Sequence, residues 1–333
     1  MISADAPAVG RSATPSPDPS RRDLLRAVLV GAAATVVATC SQDTTGTVPR
    51  FPLAAGPEGG SSNAFSRALE GAVAANGRHL KIILVPTLGS IDSLRQLDTG
   101  AAFALARADA AENAVLGHEL FSRPIPGKAL ARIYENYTHL VVPADGPVRS
   151  VEDLAGRRVR VGPEGAGDQG RRLLHAAGLT GARSVQEQWL GLAESVDTLR
   201  LGKIDALIWS GAVPTPALSA LAQDLPLRFL ALDGLVRPLR DIYGPVYTAV
   251  TLPAGVYGLR EPVSTLGVGY YLMARTDTSE RAVRSLLEVV FDRWSDLIRD
   301  VTAGARLEPR FAISTGKVPL HPGARAYYRS AHE

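Results

Sequence analysis

The chain has 333 residues, 36 Lys and Arg against 33 Asp and Glu, a formal net charge of +3, and a composition 46% hydrophobic and 21% charged. These proportions exclude collagen, a wholly disordered chain and a polytopic membrane protein, and the length fits roughly two domains at about 150 residues each. The near-balance of charge, with no Lys/Arg-rich run interleaved with aromatics, excludes a nucleic-acid surface.

A single Cys allows neither an intramolecular disulfide nor a cysteine metal cluster, and no two of the six His stand at the i, i+4 spacing of a helical zinc site. No metal and no cofactor are expected.

Residues 1–40 read as a signal region. Residues 1–19 are rich in Pro, Ser, Ala and Asp, without periodicity. The stretch Ser20-Arg21-Arg22-Asp23-Leu24-Leu25-Arg26 then matches a twin-arginine export signal. Ala27–Ala38 is uncharged and small-residue-rich. It falls short of the roughly 20 residues that span a bilayer, and fits a signal h-region. Cys40 closes it, and Val37-Ala38-Thr39-Cys40 resembles a lipobox whose thiol is acylated. Cleavage nearby without lipid is the alternative. Either way the protein is expected to be exported, periplasmic or at the cell surface.

Beyond the signal, short apolar runs alternate with amphipathic segments. Strands are expected at Phe51–Ala55, Leu80–Val85, Ala102–Ala106, Leu130–Tyr134 and Thr138–Val142. Helices are expected at Ala64–Ala75, Ser90–Asp98 and from Asp109 to Leu116. This rhythm predicts an α/β fold with a mostly parallel sheet covered by helices. A second unit opens near 143. Ser150 and Asp153 form a capping-box-like pair, Arg158–Gly162 is a strand, and Gln169–Ala177 is a helix closed by Gly178. Then follow an extended Ser184–Leu190, a helix at Ala193–Leu201, a strand at Asp205–Trp209, a helix at Ala217–Ala222 and a strand at Leu227–Leu232. The tail has a strand at Thr265–Met273 and a helix over Ser279–Asp300 with Leu286, Leu287, Val290, Trp294 and Leu297 on one face. Two chain crossings without a floppy linker fit hinged lobes. Residues 48–142 with 235–333 form lobe I, and 143–234 form lobe II.

Five stretches carry candidate chemistry. Gly165-Ala166-Gly167-Asp168-Gln169-Gly170 fits G-x-G-x-x-G between a strand and a helix, with Glu187 placed as a ribose-binding acid would be. Three readings stay open: anion capture by free N–H groups at the helix start, a plain strand-to-helix turn, and a dinucleotide site. Gly56 to Asn63 is a glycine turn in which Gly60, Ser61, Ser62 and Asn63 can meet a ligand or cap the helix, and it lacks the Lys-Ser/Thr ending of a P-loop. Ser90 is a helix N-cap or a ligand contact. Arg107 at a strand's carboxyl end can clamp a carboxylate, or pair with Asp109 or Glu112. Tyr134 stands at the first crossing, to line a cleft or pack between lobes, and nearby His139 reads as structural. No G-x-S-x-G elbow is present, so no catalytic residue is expected.

The order of these motifs resembles the TAXI family of TRAP-transporter solute-binding proteins over roughly 50–330. The anchors are Gly59-Gly60, Thr87-x-Gly89-Ser90, Phe103-Ala104-Leu105 with Asp109, Tyr134-Glu135, the run from Ser150 to Val159, Gly162 to Gly167, Gly202 to Ala206, and His321-Pro322-Gly323-Ala324 with Tyr327-Tyr328. The resemblance implies a two-lobed, periplasmic-binding-protein-like (type II) protein. Such a protein holds a small carboxylate-bearing solute, an organic acid or amino acid, between its lobes and delivers it to TRAP-type permease subunits. It is not an enzyme. Implied ligand contacts are Gly60, Ser61, Ser62, Asn63, Ser90, Arg107, Tyr134, Gly165, Ala166, Gly167 and Asp168, with Trp209 as an apolar wall. Membrane contact comes through lipid at Cys40. Ser62-Asn63, Ser93, Arg107 and Asp168 depart from the family's usual pattern, which implies an altered specificity. The rival readings are an exported NAD(P)-dependent oxidoreductase using residues 165–170, and a binding protein that serves a sensor.

Overall fold

The computed structural model describes residues 48–76, 80–163, 168–299, 301 and 307–331. The twin-arginine stretch, Cys40, Gly165, Ala166 and Gly167 lie outside the described residues.

The strands are β1 (Arg50–Ala54), β2 (Lys81–Val85), β3 (Phe103–Arg107), β4 (Gly127–Pro143), β5 (Arg158–Gly162), β6 (Gln186–Trp189), β7 (Ala206–Gly211), β8 (Leu227–Phe229), β9 (Tyr247–Leu252) and β10 (Val263–Arg275). The helices are α1 (Ser61–Ala75), α2 (Ser90–Thr99), α3 (Ala108–Leu116), α4 (Asp168–Ala176), α5 (Leu192–Arg200), α6 (Pro216–Asp224), α7 (Val236–Tyr243), α8 (Glu280–Asp292), α9 (Trp294–Ile298), α10 (Pro309–Ala312) and α11 (Pro322–Ser330).

The sheet is mixed rather than mostly parallel. Its order is β2-β1-β3-β10-β4-β7-β5-β6, with β8 on β4 and β9 on β10. Parallel pairing is confined to the two ends, where β1 lies between β2 and β3 and β5 lies between β6 and β7. Between them β4 and β10 run antiparallel to every strand they touch. The sequence reading placed two strands at 130–134 and 138–142. One strand of 17 residues spans both, because Tyr134-Glu135-Asn136-Tyr137 continues the ladder instead of turning. At Tyr137 the strand changes partner: it faces Gly267 of β10 on one side and Gly211 of β7 on the other.

Helices cover both faces at each end of the sheet. Phe65 and Leu69 of α1 and Leu286, Leu287 and Val290 of α8 pack on one face of β1 and β3, and Leu94 and Leu97 of α2 with Ala110 and Ala114 of α3 pack on the other. Around β5 and β7, Leu173 and Leu174 of α4 share a core with Leu239, Tyr247 and Leu266, while α5 and α6 supply Val196, Leu199, Leu218 and Leu221 opposite. Burying such side chains contributes on the order of 1.5–3 kcal/mol each.

The expected long helix at 279–300 is two. Ser279 caps α8 through its Oγ, which accepts from Ala282 N, and Arg293 (φ −113°, ψ 17°) leaves helical geometry before α9 begins. The apolar face nevertheless continues through the break, with Trp294 and Leu297 in the same cluster as Leu286 and Val290. Asp153 accepts from the N–H groups of Arg149 and Ser150 at 2.9 Å each, which is one half of the expected capping box; Val151, not Ser150, takes the N-cap position, without a side-chain bond.

Candidate functional site

The loops that follow β1, β2, β3, β5 and β7 converge on one cavity. It is a small cavity of about 50 Å³, and Ser61, Ser62, Ser90, Arg107, Asp168 and Trp209 all line it. Clefts outside the carboxyl ends of strands are where open α/β sheets hold ligands, since strand-to-helix turns leave backbone and short polar side chains facing the gap.

Two of these hydroxyls are committed to other elements. Gly60, with extended φ and ψ, precedes α1 in place of a side-chain cap, so Ser61 Oγ is free to accept from Ala212 N at 2.8 Å. Gly60 also allows close packing, since a Cβ there would lie 3.0 Å from Pro57 O and 3.4 Å from the Trp209 ring. Ser90 is the first residue of α2, Gly89 takes the cap position without a side-chain bond, and Ser90 Oγ accepts from Arg107 N at 3.1 Å. The N-cap reading of Ser90 gives way to a cross-link between α2 and β3.

Arg107 is 7% exposed and held on two sides. Its Nε donates to Asp109 Oδ1 at 3.0 Å, and its Nη2 donates to Asp168 Oδ2 at 2.8 Å. Asp109 is the hub of a wider cluster. Its Oδ1 accepts from Ala110 N at 2.8 Å, and its Oδ2 accepts from Arg172 Nη1 at 3.0 Å and from the Tyr247 hydroxyl at 2.8 Å. Arg172 donates in addition to Glu119 and to the Tyr247 oxygen. Burial drives the Asp109 carboxyl upward, but Arg107 and Arg172 outweigh it and hold it at about 2. Burial likewise lowers Arg107, and the coulombic pull of Asp109 and Asp168 overcomes it, leaving the guanidinium above its ordinary value. The expected pairing of Arg107 with Asp109 is thus present, but in a buried site rather than at the surface, and a second partner, Asp168, comes from 61 residues away.

Arg160 is the residue that the sequence reading missed. It sits on β5 in Val159-Arg160-Val161, is 3% exposed and lines the cavity. It donates through Nη1 to Ile208 O at 2.6 Å and through Nε to Leu190 O at 3.2 Å, and its guanidinium carbon stands 5.7 Å from the Trp209 ring centroid. Burial lowers it to about 10. The sequence signal was weak, because Arg158-Val159-Arg160-Val161 alternates as a half-exposed strand would, and only the fold buries Arg160. Gln169 was missed too. Its Nε2 donates to Thr138 Oγ1 at 2.8 Å, tying α4 to β4 at the cavity wall.

Three predicted contacts do not line the cavity. Gly60 lies behind its wall. Asn63 is turned back on its own loop and helix, donating to Gly56 O at 3.4 Å and accepting from Arg67 Nε at 3.0 Å. Tyr134 is buried under Tyr270, with ring centroids 5.2 Å apart and planes 18° from parallel, and Tyr270 presents the lining surface in its stead. Its hydroxyl is pushed well above the phenolic value by burial, then by Tyr270. Trp209 does form a wall, with Nε1 donating to Thr215 Oγ1 at 3.1 Å. His139 is structural, fully buried edge-on against the stacked rings of Phe229 and Tyr257, and burial lowers it to about 4.

Two features of the dinucleotide pattern have other employment. Gly170 permits α4 to press on β5, since a Cβ would fall 2.3 Å from Val161 O. Glu187, the would-be ribose acid, pairs with Arg171 at 2.9 Å. Among the described residues no cluster of three His, Cys, Asp or Glu is arranged to hold a metal.

A mixed α/β sheet with helices on both faces and a polar cleft at its strand ends defines a periplasmic-binding-protein-like fold. Solved structures share it. A protein from Bordetella bronchiseptica RB50 is 14% identical over 85% of this chain and 98% of its own, with a TM-score of 0.53. A structure described under glutathione import via GshT and the cystine importer TcyBC of Streptococcus mutans is 12% identical over 77% and 95%, with a TM-score of 0.50. A weaker likeness, with a TM-score of 0.45, is to the periplasmic aliphatic sulphonate binding protein SsuA from Escherichia coli, 16% identical over 85% and 84%. Residues 53–331 match the NMT1-like family, and the chain belongs to it.

Proposed function

We propose that this is an extracytoplasmic solute-binding protein that captures a small carboxylate-bearing solute by hinge closure and hands it to a TRAP-type membrane permease. The carrying observation is a polar cavity crossed at its edges by bonds between distant segments: Arg107 to Asp168, Arg172 to Asp109, and Ala212 to Ser61. For the lobes we propose 48–142 with 235–333 and 143–234, meeting along β4 and β10. The part of 235–266 that packs with Leu173 and Leu174 forms the hinge side of the first. The twin-arginine stretch serves export, and Cys40 carries the lipid that anchors the mature protein. Among the described residues no helix is long and apolar enough to cross a membrane.

In this reading Ser62, Ser90, Asp168 and Trp209 border the solute. Moving the equilibrium from mostly open to mostly closed requires a preference of about 5 kcal/mol for the closed state. A few charge-assisted bonds at about 1.5–3 kcal/mol supply it.

The test is thermal shift of the processed protein with small carboxylates and with NAD(P)(H), joined to small-angle scattering. A solute at 100 times its Kd adds about 2.7 kcal/mol, and the radius of gyration should fall as it binds. A shift with NAD(P)(H) alone would replace this reading with the oxidoreductase, and co-purification with a receptor kinase would replace the permease with a sensor.

A further inference from the structure

We infer that Arg160 is the anchor for the solute's anionic group, and that the cleft takes a solute with one compact anionic group rather than a dicarboxylate. This rests on the solute-binding reading and narrows it.

The argument is a charge count at the cavity wall. Two cations line it, Arg107 and Arg160. Arg107 is already spent on Asp109 and Asp168. Among the described residues the hydrogen-bond partners of Arg160 are two carbonyl oxygens, those of Leu190 and Ile208. Among the described residues no carboxylate lies within salt-bridge distance of it, and the guanidinium keeps N–H groups beyond the two so used. A cation this deeply buried without a counter-charge is costly to the folded protein. Burial accordingly lowers its proton affinity, and an anion entering the cavity would supply what the wall lacks. Trp209 stands beside the guanidinium and, with the two carbonyls, fixes its fork, which suits two parallel bonds to one carboxylate.

Three buried polar atoms of the wall lack a partner among the described residues; one, Ser210 Oγ, can donate or accept, and the other two argue against a second anionic group beside them. Asp168 Oδ1 and Asn136 Oδ1 are buried acceptor oxygens without a hydrogen-bond partner among the described residues. They would repel a second carboxylate and would receive an N–H or O–H. The matching solute therefore carries one anionic group at Arg160 and a neutral or donating remainder.

The experiment uses the full chain and matched probes of equal carbon number from two to six: a monocarboxylate, its 2-hydroxy and 2-amino forms, the dicarboxylate and the amide. Affinity is read by calorimetry for the wild type, Arg160→Met, Arg160→Lys and Arg107→Met. Monoanions should bind at least tenfold more tightly than the dicarboxylate of the same length. Arg160→Met should weaken them at least tenfold, and Arg160→Lys by less. Melting of the solute-free protein separates anchoring from scaffolding. Arg160→Met should leave the melting temperature unchanged or raised, whereas Arg107→Met, which strands two acids, should lower it. Dicarboxylates binding as tightly as monoanions, wild-type affinity in Arg160→Met, or a lowered melting temperature in that variant would each overturn the assignment. Amides binding best would overturn it while leaving solute capture standing. Binding of no probe together with no change in scattering would bring down both readings.

Discussion

Arg107 and Arg160 line the same cleft, both more than nine-tenths buried, and differ in what faces them. Arg107 ends β3 and meets two carboxylates, while Arg160 lies within β5 and meets two carbonyls. The contrast separates two uses of one residue type. A buried guanidinium with its charge cancelled by protein acids is a strut, and removing a partner leaves a charge stranded. A buried guanidinium with its charge left open holds its place at a cost, and that cost is recovered when an anion arrives. The raised proton affinity of Arg107 and the lowered one of Arg160 record the same difference.

The comparison breaks most visibly at Asp109. Asp109→Asn removes the charge shared by Arg107, Arg172 and Tyr247. Urea unfolding should show a loss of about 3–5 kcal/mol, the range for breaking a buried pair. A loss below 1 kcal/mol would mean that the strut is not one.

Acid sharpens the same point. Asp109 has a folded-state value of about 2 against an ordinary 3.8. Its carboxylate is thus more stable folded than unfolded, and its contribution is fully present above about pH 4. It is lost as the pH falls toward 2, because the unfolded chain takes up the proton first. At about 1.4 kcal/mol per pH unit the change amounts to roughly 2 kcal/mol. The slope of stability against pH in that window should flatten in Asp109→Asn.

The smallest effect is expected at Asp168. Asp168→Asn removes one of the two acids on Arg107 but leaves Asp109 in place. A loss of about 1 kcal/mol is expected. The more telling readout is scattering, since Asp168 bonds to a residue 61 positions away across the cleft. Without solute the radius of gyration should rise above that of the wild type if this bond holds the cleft shut.

Much of the fold was legible beforehand, and for local reasons. Lys81–Val85, Phe103–Arg107 and Ala206–Gly211 are apolar runs within the strand length, and α1, α2 and α8 carry their buried residues at helical spacing. The unpredicted elements carried weak local signals. Helix α7 is eight residues long with Pro238 inside it, and β9 buries only its two end residues, Tyr247 and Leu252. The partner change at Tyr137, which makes one strand of two expected ones, depends on where β10 and β7 lie.

The site divides along the same line. Short polar residues after strands at Ser61, Ser62 and Ser90 point to a cleft because strand-to-helix turns gather at one edge of a sheet, and that much is written in the order of residues. Which arginine is cancelled is not. Asp109 meets Arg172 63 positions on and Tyr247 138 positions on, and Arg107 meets Asp168 across 61. A side chain's charge is local, whereas its counter-charge and its loss of water are set by whatever the folded chain brings beside it. The residue types that can bind an anion could therefore be read from the sequence, but only the tertiary structure decided that Arg107 is already answered, while Arg160 meets no carboxylate among the described residues.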